Sequence, residues 1–199
     1  MNDGPDSPRR AGRLVRSIAL TAVLALGATA CSADEAPQDE AKAASSAAPD
    51  TKKATTALNA GLEAHSAGDL TAAAAKYDET LEYDPENKFA FYNLALIDEA
   101  GGNYGLAEEK YRAALEADPA YEPALFNLAI LRTGRDPEEA IQLYLAAVES
   151  DKKDAAAWLN LGLLLRASGK ELEGDKAVLR AIALNPDLVD PAKAGTENP

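Results

Sequence analysis

Two residue types that could do chemistry occur once each. Cys31 is the single cysteine and His65 the single histidine of a 199-residue chain. A histidine acting as a general base needs a nucleophile or an orienting carboxylate within hydrogen-bond reach, and the surrounding "LEAHSAGDL" arranges neither. His65 therefore reads as an ordinary surface or groove histidine. No glycine-rich phosphate loop and no paired cysteines occur anywhere. Carboxylates are plentiful, but Glu108, Glu109, Glu138 and Glu139 fall where helices should open. There the helix dipole favours negative charge without any metal. The expectation is that this chain is not an enzyme, carries no cofactor and holds no metal. What chemistry it does is binding.

Bulk composition narrows the kind of binding. Apolar residues make up 47% of the chain and charged residues 27%, which is the globular range. Most of the apolar content is alanine and leucine, with 6% aromatic residues, and that composition favours helix. A net charge of -13 would repel a phosphate backbone, so nucleic acid is excluded as a partner.

The first thirty residues differ from the rest. Arg9, Arg10, Arg13 and Arg16 precede "IALTAVLALGA", an apolar run from Ile18 to Ala28. That run is shorter than the roughly twenty residues a membrane-spanning helix needs. A basic segment, a short apolar segment and a small-residue site compose a secretory signal. The site, "GATAC", ends at Cys31 and resembles the lipobox of bacterial lipoproteins. That resemblance implies cleavage after residue 30, a diacylglycerol on Cys31, and a protein held on the extracytoplasmic side of a bacterial cell membrane. The general secretory route is favoured over twin-arginine export, because Gly12 stands where the latter wants a bulky apolar residue.

From Cys31 to Lys53 the chain is acidic and alanine-rich, with no leucine, isoleucine, valine or aromatic residue. Such a stretch buries too little to offset the entropy of ordering it, so residues 31–53 are expected to be a disordered tether. Residues 189–199 are expected to be a disordered tail.

Between them the sequence repeats itself. "YDETLEYDP" at Tyr77 returns as "YRAALEADP" at Tyr111, "YLAAVESDK" at Tyr144 and "VLRAIALNP" at Val178, at offsets of 34, 33 and 34. A fixed period of this length marks a structural unit. Four units follow, 54–87, 88–121, 122–154 and 155–188. Small residues recur at the eighth position, Gly61, Ala95, Ala129 and Gly162, and again at Ala73, Ala107, Ala140 and Gly174. Small side chains at fixed places let two helices of a unit approach closely. Gly68, Gly102, Gly134 and Gly169 sit between those helices and suit a left-handed cap. Asp-Pro at 84–85 and 118–119 and Asn-Pro at 185–186 separate units, while Lys152 takes that proline's place in the third.

The pattern, above all "FYNLALIDEAGGNYGLAEEKYRAALEADP" from Phe91 to Pro119, resembles the tetratricopeptide repeat. The resemblance implies an all-α fold, a right-handed superhelical array of about four helix-turn-helix units with a concave inner surface. Stacking would cover the apolar face that one helix pair cannot cover alone. With only "DLVDPAKAGTENP" after Pro186, the last helix is expected to leave Val178, Leu179 and Ile182 partly uncovered, making the C-terminal repeat a candidate homodimer contact.

Positions four, seven, eight and eleven of each first helix should face the partner helix, which puts positions two, five, nine and twelve on another side. That second stripe is also apolar. It holds Leu58 and Leu62 in the first unit and Phe89, Tyr92 and Leu96 in the second. Phe126 and Ile130 carry it through the third unit, and Leu159 and Leu163 through the fourth. Beside it runs a polar column, Asn59, Asn93, Asn127 and Asn160, whose amides can both donate and accept. The family resemblance implies that these residues line a peptide-binding groove; packing between neighbouring first helices, or against Leu188 and Val189 of the tail, would use the same stripe otherwise. The family's carboxylate clamp is absent, since Asn127 stands where it wants arginine, and Arg166 is the one evident basic contact. The expected function is a lipid-anchored scaffold binding a protein or peptide segment in this groove. The competing expectation is an envelope or pilus assembly lipoprotein working through its repeat ends and convex face.

Overall fold

The computed structural model describes residues 48–191, and Cys31 with the whole of the expected signal lies outside them. Among the described residues there are eight helices and no strands. In order they are α1 (Thr51–Ser66), α2 (Leu70–Tyr83), α3 (Lys88–Ala100), α4 (Tyr104–Ala117), α5 (Glu122–Thr133), α6 (Pro137–Ser150), α7 (Ala155–Ala167) and α8 (Glu171–Leu184). Each odd-numbered helix packs most extensively on the even-numbered helix after it, and each pair abuts the next.

Side-chain caps start most of these helices. Asp50 accepts from the Lys53 amide, Asp69 from Ala72, Asn87 from Ala90 and Asp136 from Glu139. Asp154 accepts from both Ala156 and Ala157. Each such oxygen satisfies a donor that the first turn of a helix leaves unpaired. The Asp50 cap also moves a boundary, because α1 begins at Thr51 and so takes in three residues expected to belong to the tether. Apolar content could not reveal this, since the anchor is polar: Asp50 caps the helix while its own N–H donates 3.0 Å to the Tyr83 carbonyl at the end of α2.

Turns within units follow one pattern with one exception. Gly68, Gly102 and Gly169 take positive φ values of 81°, 76° and 78°. The next residue's N–H then reaches back five places, Asp69 to Ala64, Asn103 to Asp98 and Lys170 to Leu165. Gly134 departs from the expectation, with φ -91°. Here the amide of Asp136 reaches only four places, to Arg132, at 2.8 Å. The third unit is one residue shorter, and a tighter turn removes the need for a left-handed residue.

Between units the same aspartate or asparagine sets the turn whether or not proline follows it. Asp118, Asp151 and Asn185 each accept through their side chain from the amide two residues on. Asp84, Asp118, Asp151 and Asn185 each accept through their backbone carbonyl from the amide three residues on. Lys152 therefore costs the third unit nothing in geometry; a short polar side chain bonding its own backbone is enough.

The core sits between paired helices. Ala73, Ala107 and Ala140 are fully buried, as are Tyr77, Tyr111 and Val178, with Tyr144 nearly so. A Cβ added to Gly162 would lie 2.8 Å from the Gly174 carbonyl oxygen and 2.8 Å from the Val178 nitrogen, so α7 and α8 cross backbone to backbone. Three clusters of buried side chains carry the core along the array, the last two sharing Leu115 and Leu143. Val178 is therefore not uncovered as expected, and Ile182 is half-buried; of the three residues at that end only Leu179 stands out, 60% exposed. The tail also begins in contact rather than free, since Asp190 is buried.

Candidate functional site

Each buried tyrosine of a second helix ends in a hydroxyl that meets position twelve of the first helix in its own unit. The Tyr77 hydroxyl shares a 3.3 Å hydrogen bond with His65 Nδ1. Tyr111 donates to Glu99 Oε2 at 2.7 Å. Tyr144 lines one hollow together with Thr133 and Asn160. Burial pushes all three phenols above the ordinary tyrosine range, so they stay protonated. His65 is thus a structural partner of Tyr77. The repeated tyrosine stands twelve residues after His65 and Glu99 and eleven after Thr133 in the shortened unit. That spacing was the available signal for this row.

Unit four replaces the tyrosine with Val178, which can offer Arg166 nothing. Arg166 instead donates from Nη1 and Nη2 to the two carboxylate oxygens of Asp190, at 2.8 and 3.0 Å, and from Nε to Asp175 at 2.8 Å. Bonding to these two carboxylates raises its pKa further. The reading of Arg166 as the groove's basic contact is corrected by this geometry. Its fork is occupied, because a bidentate carboxylate satisfies a guanidinium better than solvent does.

The asparagine column is not a uniform row of free amides. Asn127 donates 3.3 Å to both the Tyr92 and Tyr111 hydroxyls, Asn93 donates to its own helix at the Phe89 carbonyl, and Asn160 lines a hollow beside Tyr144. Asn59 is exposed. Much of the aromatic stripe is also partly used inside the monomer. Tyr92 meets Tyr111 at 5.9 Å and Tyr121 at 5.5 Å between ring centroids, and Phe126 lies edge-on to Tyr144 at 5.9 Å. Such contacts stabilise beyond simple burial. Leu96, Leu159 and Leu163 are half-buried, whereas Leu62, Phe89 and Ile130 remain 43–44% exposed.

Two hollows open on this face, one on each side of α5. The larger, about 450 Å³, lies between Ile130 and Thr133 of α5 and Asn160, Leu163 and Ala167 of α7, with Tyr144 as floor. The other, about 440 Å³, is bounded by Leu96, Glu99 and Ala100 of α3, Tyr104 of α4 and Asn127 of α5. A further hollow of about 410 Å³ lies between α1 and α2, away from the stripe, and two of its three lysines are paired, Lys53 with Asp50 at 3.0 Å and Lys76 with Glu79 at 2.6 Å.

Carboxylates that open second helices are tied across units. Arg132 reaches Glu108 at 3.0 Å and Glu139 at 2.6 Å, while Arg112 reaches the same two acids at 3.0 and 2.7 Å. Burial works to raise the Glu108 carboxyl, but the two guanidinium groups outweigh it and hold it below the usual range. Glu122 behaves oppositely. Burial, then the neighbouring Asp154 and Asp151, push its carboxyl up to about 7. Among the described residues no group of three or more histidines, cysteines or carboxylates is placed to hold a metal ion, and no helix is long and apolar enough to cross a membrane.

The family model described as tetratricopeptide repeat matches residues 58–122 and 130–188. Against curated proteins nothing matches. Among solved structures, MamA from Desulfovibrio magneticus RS-1 is 20% identical with a TM-score of 0.57, over 69% of this chain and 78% of that one. PilF of Pseudomonas aeruginosa is 25% identical with a TM-score of 0.59, over 69% of this chain and 64% of that one. The first such domain of Spaghetti, solved with an HSP90 peptide, is 21% identical with a TM-score of 0.56, over 61% of this chain and 98% of that one.

Proposed function

The chain belongs to the tetratricopeptide repeat family, and from that premise we propose that it is a lipid-anchored scaffold that captures a segment of another protein across the face formed by its first helices. One observation carries this reading. The 450 Å³ hollow between α5 and α7 has apolar walls at Ile130 and Leu163, while Thr133 and Asn160 supply polar groups at its edge. A concave apolar slot with a few convergent polar groups suits one side chain of an extended segment. Capture is binding, and it asks no residue to change protonation. Family membership supports protein or peptide partners in general, and the Spaghetti domain holds an HSP90 peptide. The anchor belongs to the same proposal: diacylglycerol on Cys31 would hold the array on the outer side of a bacterial cell membrane, beyond a short acidic tether.

A second reading has its own observation. Leu145, Leu172 and Leu179, on the second helices of the last two units, are 42%, 65% and 60% exposed. Large apolar side chains there suit an assembly role, or a homodimer, through the opposite face and the C-terminal repeat. A photocrosslinking residue placed at Ile130 in one variant and at Leu179 in another, in native membranes, separates the two. Adducts from position 130 that vanish in a folded Leu163→Glu background support capture on the first helices. Adducts from position 179 alone would transfer the function to the other face.

A further inference from the structure

We infer that the segment captured on the first-helix face pairs an apolar residue, seated between Ile130 and Leu163, with a basic residue that meets Glu99; this rests on the proposed capture function. The two hollows are neighbours by construction. Asn127 borders one and Ile130, a single helical turn further along α5, borders the other. A segment lying across α5 therefore touches both.

The charges on this face decide what such a segment carries. At positions two, five, six, nine and twelve of the first helices, the formally charged residues are Glu99 and Arg166. They are not equivalent. Arg166 is bracketed by the carboxylates of Asp190 and Asp175, so it presents no open positive charge. Glu99 has a different situation: its hydrogen bond comes from the neutral Tyr111 hydroxyl, and among the described residues no lysine or arginine pairs with it. The 440 Å³ hollow thus has a carboxylate in its wall and no cation. The remaining charge of the chain reinforces this local sign, at -13 overall. A carboxylate on the captured segment would meet repulsion here, while a lysine or arginine would find an unpaired partner.

Spacing follows from the helices. The two hollows flank α5, a helix about 10–12 Å across with its side chains, and an extended chain advances about 3.3 Å per residue, so the basic and apolar residues should be about three positions apart. The order of the two along the segment is left to the experiment.

The test uses short synthetic peptides, fluorescently labelled, each with one leucine and, about three residues to either side, lysine, glutamine or glutamate. Binding is read by anisotropy with the full-length protein at low and moderate salt. The wild type should bind the lysine peptides about fivefold more tightly than the glutamine ones, glutamate should be weakest, and added salt should narrow the gap. Glu99→Gln, whose amide oxygen can still accept from Tyr111, should abolish the lysine preference and leave glutamine-peptide affinity unchanged. Ile130→Glu should lose all the peptides alike. Equal binding of all three peptides, or a glutamate preference, overturns the charge inference and leaves capture standing. Failure of the folded wild type to bind any of them overturns both.

Discussion

The guanidinium of Arg166 and the carboxylate of Asp190, twenty-four residues apart in sequence, are joined by two hydrogen bonds of 2.8 and 3.0 Å. This pair ends the array. Units one to three place a tyrosine hydroxyl opposite position twelve; unit four, lacking the tyrosine, draws the chain after α8 back over α7 instead. Asp190 is 6% exposed, so the pair is largely removed from water.

Removing one member of a buried pair strands the other. Asp190→Asn should therefore lower stability by about 1–2 kcal/mol, less than a wholly buried pair would cost because Asp175 still holds Arg166. Urea denaturation measures the loss. Proteolysis at Leu188 or Val189 should quicken in the same variant, and an unchanged cleavage rate would mean the pair does not hold the chain down.

Glycine substitutions should separate two kinds of site. Gly162→Ala would put its Cβ 2.7 Å from Val178 Cγ2 and 2.8 Å from two backbone atoms of α8, so the helices must part, at a cost of about 1–3 kcal/mol. Gly105→Ala, inside α4 with nothing within 4 Å, should instead stabilise by about 0.5–1 kcal/mol through a less flexible unfolded chain. Thermal melts of the two variants should shift in opposite directions.

Glu122 should give the fold an unusual pH response. Its carboxyl is pushed up to about 7 from an ordinary 4.5, first by burial and then by Asp154 and Asp151. The folded state therefore keeps a proton that the unfolded chain has already released, and stability falls as pH rises from about 4.5 to about 7. Because Glu122 is only partly buried, the total is about 1 kcal/mol. Glu122→Gln, whose amide can donate to Asp154, should flatten the slope across that window and melt higher than the wild type at pH 8. Parallel pH profiles for the two proteins would refute the assignment.

Membrane attachment has a test that depends on no side-chain geometry. Cys31→Ser should release the protein from membranes or block its maturation, as read by fractionation and by metabolic labelling with a fatty acid. Full retention of an unlabelled protein in the membrane fraction would remove the anchor from the proposal.

Much of the fold was legible in the chain because it is written locally and four times over. Helix starts follow from single aspartates and asparagines, tight crossings from alanine and glycine at fixed places, and the core from a tyrosine that recurs at offsets of 34 and 33. Each of these effects acts within a few residues, or between two helices joined by a short turn. Even so, boundaries depended on small polar details. Asp50 lengthened α1, and one missing residue turned Gly134 from a left-handed cap into an ordinary one.

The groove was legible only as a stripe of residue types. Leu62, Ile130 and Phe89 kept the exposure that the stripe implies, whereas Tyr92 and Phe126 spend part of their surface on Tyr121 and Tyr144. Asn127 reads as a free amide in sequence and is committed to two tyrosine hydroxyls in the fold.

Sequence by itself determined that helices pair, repeat and stack, since spacing within one unit already specifies which faces are apolar. Tertiary structure alone decided which polar groups stay available on that face. Arg166 and Glu99 hold the same position in the fourth and second units, yet one is satisfied by a carboxylate from beyond the last helix and the other is left with a phenol. That difference arises because packing brings Asp190 back to Arg166 from twenty-four residues away, a separation outside the repeated spacing that joins Glu99 to Tyr111.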